Sequence, residues 1–125
     1  MPLDKPASPR RRVLVVDDSL DTLHSVACAL REMGHEVEFA INGYAALAAA
    51  RRFRPEVVLV DIRLPDTDGW DVARRLKGEA QGQPPRVIAI AGRTREGDRL
   101  RSMQAGCEEH LLKPLDWKQL EKLLV

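Results

Sequence analysis

The chain has 125 residues, a length that fits one domain with one hydrophobic core. Hydrophobic residues make up 44% of it and charged residues 31%, which excludes a disordered chain and is typical of a globular protein. The formal net charge of +1 gives no general attraction to nucleic acid or to a membrane surface, so any charge-based function has to be local.

Residues 1–11 are predicted to form a flexible, basic and proline-rich tail. The arginines at its end are interpreted as solvated, with contact to an acidic partner as the alternative.

Pro2, Pro6 and Pro9 interrupt the apolar core that a signal peptide needs, and no apolar run approaches the roughly 20 residues that cross a bilayer. The expectation is therefore a cytoplasmic location without membrane contact.

A strand and a helix follow the tail. Residues 13–16 are a short apolar run rich in β-branched side chains, which favours a strand covered on both faces. Four apolar residues then share one face at helical spacing: Leu20, Leu23, Ala27 and Leu30. Gly34 ends this helix. Cys28 falls inside the helical pattern and is interpreted as a buried free thiol, because two cysteines are too few for a disulfide scaffold.

The same order repeats in the middle of the chain. Residues 37–41 alternate between apolar and other side chains, which indicates a more exposed strand. An alanine-rich helix over 44–53 stops before Pro55, and residues 57–60 are a second strand covered on both faces. A third helix is marked by three apolar residues: Val72, Ala73 and Leu76. Gly78 or Gly82 closes it.

The last third contains two more strand–helix pairs. Residues 87–90 are another doubly covered strand, and a fourth helix over 95–105 is predicted to turn Leu100 and Met103 inward. Leu111 and Leu112 suggest a short last strand. A fifth helix, capped by Asp116, carries the remaining apolar residues: Trp117, Leu120, Leu123 and Leu124.

Five strands therefore alternate with five helices. Such alternation predicts a doubly wound α/β fold, in which right-handed crossovers connect the strands of an open parallel sheet. Ligands of these folds bind beyond the carboxyl ends of the strands, so the residues directly after each strand are the candidates for function.

Three aspartates and one lysine occupy such positions. Asp17 and Asp18 follow the first strand, Asp61 follows the third, and Lys113 follows the fifth. Two carboxylates about 4 Å apart repel by roughly 4 kcal/mol at an effective dielectric near 20, which favours the binding of a cation. Oxygen ligands in a partly hydrated cluster suit Mg²⁺, which leaves coordination positions open for phosphate oxygens.

This combination of residues predicts phosphoryl chemistry. An aspartate in such a site can attack phosphorus and form an aspartyl phosphate, and Lys113 supplies a positive charge for the phosphate oxygens. Asp17 and Asp18 alone would be equally consistent with a strand end and a helix cap. The prediction rests on all four residues standing at strand ends of one alternating fold.

Four motifs surround these residues. They read Val-Leu-Val-Val-Asp17-Asp18-Ser19, then Val-Val-Leu-Val-Asp61-Ile-Arg-Leu-Pro65 with Asp68-Gly69, then Gln104-Ala105-Gly106, and finally Leu-Leu-Lys113-Pro114-Leu. Together they resemble the receiver domain of two-component response regulators, over residues 12–125. The resemblance implies a flavodoxin-like (βα)5 fold with five parallel strands in the order 2-1-3-4-5.

The resemblance also implies a role for each site residue. Asp61 is implied as the phospho-acceptor, and Lys113 as a contact of the phosphoryl group with a cis bond to the following proline. Asp18 is implied to bind Mg²⁺ directly, Asp17 to bind it through water, and the backbone carbonyl of Arg63 to be a further ligand.

The implied partners are other proteins. A sensor histidine kinase or a phosphotransfer protein is the implied phosphoryl donor. The face formed by the fourth helix, fifth strand and fifth helix is the implied contact of a downstream protein or output domain. Direct contact with nucleic acid or membrane is not expected, and no catalysis is expected beyond the chain's own phosphotransfer and dephosphorylation.

Two positions depart from the family pattern. The hydroxyl that the family carries after the fourth strand falls on Ala91, which cannot hydrogen-bond a phosphoryl oxygen. Thr94 is one candidate to replace it, and the backbone amide of Gly92 is the other. His110 stands where the family often has Tyr or Phe, and is either a rotamer switch that titrates near neutral pH or a half-exposed strand residue.

Three functions compete on these grounds. The first is a phosphorylation-dependent signalling module, and the second is an interaction module that keeps the fold but switches weakly, which Ala91 favours. The third is a small Mg²⁺-dependent phosphatase, which Arg63 disfavours because such enzymes place a carboxylate two residues after the nucleophile.

Trp70 is interpreted as a packing residue of the third helix, with a cover over the pocket as the alternative.

Overall fold

Five strands and five helices alternate in the structure, a computed structural model that describes residues 9–125. The strands are β1 Arg12–Val16, β2 Glu36–Ala40, β3 Val57–Asp61, β4 Arg86–Ala91 and β5 Glu109–Leu112. The helices are α1 Leu20–Glu32, α2 Gly43–Phe53, α3 Gly69–Glu79, α4 Asp98–Gln104 and α5 Trp117–Leu123.

All neighbouring strands pair in parallel, in the order β2-β1-β3-β4-β5. The predicted doubly wound α/β fold and the implied strand order are both confirmed. β1 and β3 are neighbours, and Val16 lies opposite Val60 in their register. Because the two strands end side by side, Asp17 after β1 and Asp61 at the end of β3 lie at the same edge of the sheet.

The core has two layers, one on each face of the sheet. Successive side chains of a strand point to opposite faces, so Val13 and Val15 pack with α1 and α5 while Leu14 and Val16 pack with α2 and α3. All five residues of β3 are buried. Full burial of a Val, Leu or Ile side chain contributes roughly 1.5–3 kcal/mol, which explains why the central strands are apolar on both faces.

Side-chain caps fix where most helices begin. The N-cap residues of α1, α2, α3 and α5 each accept a backbone N–H bond from the first turn: Ser19, Asn42, Asp68 and Asp116. The predicted cap at Asp116 is confirmed. Helix α4 begins after Gly97 and has no side-chain cap.

Two predictions about α1 are wrong. Leu20 is 70% exposed, because it is the first residue of the helix and lies before the turn that meets the sheet. Cys28 is exposed as well. The buried face contains Ala27, and the next residue in a helix is rotated by about 100°, which turns the Cys28 thiol away from the sheet.

The ends of α3 and α4 also differ from the prediction. Helix α3 continues through Gly78 and has Ala80 as its C-cap, so neither Gly78 nor Gly82 closes it. Helix α4 is shorter than 95–105, and the predicted inward residues Leu100 and Met103 are 61% and 59% exposed.

Polar residues take the inward positions of α4. Asp98 and Ser102 are its buried members, at 5% and 0% exposure. The two apolar residues face outward because these polar side chains find hydrogen-bond partners inside the domain.

The predicted tail falls mainly on residues 1–8, which lie outside the described residues. Arg11, which the prediction included, is bound to the domain: its backbone N–H donates to His35 Nδ1 over 3.0 Å and its Nε donates to the Leu124 carbonyl over 3.1 Å. Within residues 9–125, no helix is long and apolar enough to cross a membrane.

Candidate functional site

Three carboxylates meet at the carboxyl edge of the sheet. Asp17, Asp18 and Asp61 each offer one oxygen to a group in which all three oxygens lie within 4.8 Å of one another. Asp17 is completely buried and Asp61 is 7% exposed, whereas Asp18 is exposed. The structure thus brings together the three acidic residues predicted from the strand ends.

Lys113 lies against two of these carboxylates. Its Nζ is 2.7 Å from Asp61 Oδ2 and 2.5 Å from Asp17 Oδ2. Burial lowers the pKa of Lys113, but the hydrogen bonds to Asp17 and Asp61 and the two negative charges outweigh this effect, so the pKa is raised. The lysine is therefore a permanent positive charge in the cluster, and its bond to Pro114 is cis as the resemblance implied.

Asp17 and Asp61 are each fixed by one backbone amide. Asp61 Oδ1 accepts the N–H of Arg63 over 2.8 Å, and Asp17 Oδ1 accepts the N–H of Ser19 over 2.9 Å. Burial raises the pKa of Asp17, against the opposing effect of its hydrogen bonds to Lys113 and Ser19. Each carboxylate keeps its second oxygen directed to the centre of the cluster.

The donor set fits a hard divalent cation. Asp17 Oδ2 is buried, and the Lys113 ammonium lies 2.5 Å from it. It lies in a group of carboxylate oxygens from Asp17, Asp18 and Asp61, which are the ligands that Mg²⁺ prefers. Lys113 supplies one positive charge beside three carboxylates, so a cation at this point would reduce the repulsion that remains among them.

Gly69 shapes the loop that follows Asp61. A Cβ atom at this position would lie 2.4 Å from the Asp61 carbonyl oxygen and 2.8 Å from Ile62 Cα, so only glycine fits. The Gly69 N–H donates to the Ile62 carbonyl over 2.9 Å. The sequence motif contained this glycine, but the close approach of two backbone segments was not predicted.

The two unusual positions lie on neighbouring strands, Ala91 on β4 and His110 on β5. Ala91 ends β4, is 1% exposed, and its carbonyl accepts the N–H of Lys113 over 2.8 Å. Thr94 Oγ1 is 3.0 Å from Nε2 of His110 and therefore contacts the imidazole. His110 itself is 5% exposed, so its interpretation as a half-exposed strand residue is wrong.

His110 belongs to a buried polar chain that the sequence did not reveal. Its Nδ1 is 2.7 Å from Ser102 Oγ, which in turn accepts the Nε1–H of Trp70 over 2.9 Å. Burial, assisted by the charge of Arg99, lowers the pKa of His110, which disfavours the predicted titration near neutral pH. Trp70 is 4% exposed, so its interpretation as a packing residue is confirmed.

A second unpredicted contact joins the loop after Asp61 to α4. Nη2 of Arg63 lies 3.2 Å from Oδ2 of Asp98, the buried first residue of α4. No local pattern in the sequence signals a pair between positions 35 residues apart.

Comparison with known proteins gives a consistent result. A family model described as the response regulator receiver domain matches residues 13–125. The chain is 34% identical to the protein PilH of Pseudomonas aeruginosa over 113 residues, covering 90% of this chain and 93% of PilH. It is 38% identical to the probable transcriptional regulatory protein TcrX of Mycobacterium tuberculosis over 108 residues, covering 86% of this chain and 45% of TcrX. It thus spans less than half the length of TcrX and of other curated relatives.

Solved structures show the same fold. The chemotaxis response regulator CheY4 of Vibrio cholerae superposes with a TM-score of 0.83 at 28% identity, over 93% of this chain and 97% of CheY4. The receiver domain of Ssk1 from Saccharomyces cerevisiae, solved with the histidine phosphotransfer protein Ypd1, gives a TM-score of 0.83 at 21% identity, over 95% of this chain and 89% of that one.

Proposed function

Because the chain belongs to the family of response regulator receiver domains, we propose that it accepts a phosphoryl group on Asp61 in a Mg²⁺-dependent reaction. One observation carries the proposal. Asp61 presents a carboxylate oxygen 2.7 Å from the Lys113 ammonium, inside a group of three aspartates that suits a divalent cation. Acceptance of a phosphoryl group from a partner is the role general to receiver domains.

The chemical step needs little from the protein beyond positioning and charge. An oxygen of Asp61 forms a bond to phosphorus while the bond from phosphorus to a histidine nitrogen of the donor breaks. The nitrogen keeps the bonding electron pair and, with a proton, leaves as imidazole. The N–H of Arg63 and the ammonium of Lys113 hold the two oxygens of Asp61 in place, which fixes the nucleophile before the donor arrives.

The cation site is part of the proposal. Asp17, Asp18, Asp61 and the backbone carbonyl of Arg63 are the groups that would hold Mg²⁺. When bound, Mg²⁺ neutralises charge on the phosphate oxygens. Lys113 offsets one of the negative charges of Asp17 and Asp61, and its raised pKa keeps the ammonium charged across the physiological range.

Intact-mass measurement after incubation with Mg²⁺ and acetyl phosphate tests this function. We expect the wild-type chain to gain the mass of one phosphoryl group, and the gain to disappear in Asp61→Asn or when the cation is removed with a chelator. A gain of the same size in Asp61→Asn would contradict the assignment of Asp61.

Protein partners follow from the same proposal. The proposed phosphoryl donor is a sensor histidine kinase or a phosphotransfer protein, and the proposed location is the cytoplasm. A downstream protein or output domain would bind the face of α4, β5 and α5. This face carries four exposed apolar side chains: Leu100, Met103, Leu112 and Trp117. A group of exposed apolar residues of this kind is typical of a protein interface.

A weakly switching interaction module is the second candidate, and Ala91 is the observation that favours it. Without a hydroxyl at this position, the loop after β4 cannot form one hydrogen bond to the phosphoryl group. A hydrogen bond to a charged group contributes about 1.5–3 kcal/mol. Amide spectra with Mg²⁺ and beryllofluoride separate the two candidates. Binding that leaves the region around His110 unchanged would favour the weakly switching module.

A further inference from the structure

Asp98 is a buried carboxylate outside the cluster of three aspartates. It is the first residue of α4 and is 5% exposed. Its Oδ2 accepts the backbone N–H of Arg95 over 2.8 Å and lies 3.2 Å from Nη2 of Arg63. A buried carboxylate depends strongly on such partners, because removal of one partner leaves a charge without compensation. The Arg63 guanidinium therefore links the loop after β3 to the first residue of α4.

Arg63 reaches Asp98 from the phosphorylation site itself. Its backbone N–H is bound to Asp61 Oδ1 over 2.8 Å, while its side chain is 47% exposed. Backbone contacts close the loop around it, residues 62–68: Arg63 forms a β-bridge with Asp68, and Leu64 N–H donates to the Thr67 carbonyl over 3.2 Å. The backbone of Arg63 is thus fixed, and the half-exposed guanidinium is the part free to move.

A phosphoryl group on Asp61 changes the charges around this guanidinium. It brings a charge of roughly −1.5 to −2 and three acceptor oxygens to within two residues of Arg63, in competition with the single carboxylate of Asp98. Guanidinium groups bind phosphate oxygens with two parallel hydrogen bonds, so the new partner is favoured by charge and by geometry.

We propose that the Arg63–Asp98 ion pair couples the phosphorylation site to helix α4 in this chain. The inference rests on the proposed function of Asp61. On phosphorylation, the Arg63 guanidinium exchanges Asp98 for the phosphoryl group, and Asp98 keeps only the N–H of Arg95. The first turn of α4 then moves to solvate the buried carboxylate. This route needs no hydroxyl at Ala91, because the group that moves is the Arg63 side chain, which follows β3 and not β4.

Two substitutions break the pair from opposite ends. Arg63→Gln removes the guanidinium, and Asp98→Asn removes the carboxylate charge but retains an oxygen that can accept the Arg95 N–H. Arg95→Gln is the matched control, because it removes the same charge from the loop before α4 without touching the ion pair. All three leave Asp61 and its aspartate neighbours intact.

Amide spectra of the full ¹⁵N-labelled chain, saturated with Mg²⁺ and beryllofluoride, test the coupling. Two readouts are compared: the amide of Ile62, which reports occupancy beside Asp61, and the amides of residues 99–103 in α4. In the wild type and in Arg95→Gln we expect both to shift. In Asp98→Asn we expect Ile62 to shift as before, and the α4 shifts to fall at least about twofold. In Arg63→Gln, which loses a contact to the phosphoryl mimic, we expect beryllofluoride to bind more weakly, and the α4 shifts to fall by the same factor once the Ile62 shift is saturated.

The outcomes separate this inference from the function on which it rests. If Ile62 of the wild type does not respond, the proposed function fails, and the coupling fails with it. If Ile62 responds and the α4 amides do not, or if they keep their full shift in either ion-pair variant, the phosphoryl site stands and the coupling through Arg63 and Asp98 is overturned.

Discussion

His110 shows how burial determines the state of a single polar side chain. Each of its ring nitrogens has a hydroxyl neighbour: Nδ1 is 2.7 Å from Ser102 Oγ, and Nε2 is 3.0 Å from Thr94 Oγ1. Both hydroxyls can donate or accept, so these contacts are compatible with either tautomer of the imidazole. Burial lowers the pKa of the ring and therefore favours its neutral form.

The neutral ring makes the stability of the domain depend on pH. Because the pKa of His110 in the folded state lies below the ordinary value of 6.5, the unfolded chain binds the proton first as the pH falls. This residue therefore contributes stability above about pH 6.5 that is lost as the pH falls toward the folded pKa.

We expect the free energy of unfolding to depend less steeply on pH in His110→Gln than in the wild type. Free energies of unfolding from urea titrations between about pH 7.5 and 5.5 should fall less steeply in this variant than in the wild type. Part of the slope should remain, since burial and the charge of Arg11 also lower the pKa of His35. An unchanged slope would mean that His110 has the same pKa in the folded and in the unfolded chain.

At the scale of elements, the connection between β3 and α3 depends on one glycine. An alanine at position 69 would press its Cβ against backbone atoms of Asp61 and Ile62, which cannot move as a flexible side chain can. Overpacking of this kind costs about 1–3 kcal/mol. We expect Gly69→Ala to lower the free energy of unfolding by that amount and to displace Asp61.

Gly78 provides the matched control within the same helix. Nothing lies within 4 Å of a Cβ built there, and it is a helical residue of α3. Gly78→Ala should therefore stabilise the chain by about 0.5–1 kcal/mol through helix propensity. Urea denaturation of both variants is the measurement, and a Gly69→Ala chain as stable as the wild type would contradict the tight packing of the loop.

Elements were predictable from the sequence where the signal is local. The apolar runs that form β1, β3 and β4 identify strands without knowledge of the rest of the chain. The convergence of the aspartates at the ends of β1 and β3 with the lysine after β5 follows from the topology. Helix α4 was predicted poorly, because its inward face is polar and its apolar Leu100 and Met103 point outward. Their positions depend on contacts with distant side chains, which no periodicity in the sequence encodes.

At the scale of the whole molecule, the fold brings three carboxylates together at one edge and neutralises them only in part, with one lysine. Lys113→Ala should destabilise the chain by about 1–3 kcal/mol in metal-free buffer, the range for a buried polar group left without its partner. A cation that binds only the folded state restores stability by mass action. Mg²⁺ should therefore raise the melting temperature of Lys113→Ala more than that of the wild type.

The exposed Lys118 serves as the control for this prediction. Lys118→Ala removes the same charge from α5 without touching the aspartates, so its melting temperature and its response to Mg²⁺ should match the wild type. Equal responses of Lys113→Ala and the wild type to Mg²⁺ would show that the lysine and the cation do not share the same carboxylates.

The most direct test of the central claim identifies the residue that carries the phosphoryl group. Borohydride reduces an acyl phosphate of aspartate to homoserine, and peptide mass mapping locates that change. After incubation with Mg²⁺ and acetyl phosphate, we predict homoserine at position 61, with Asp17 and Asp18 unchanged. Homoserine at position 17 or 18, or no reduction product in a chain that has gained a phosphoryl group, would contradict the account.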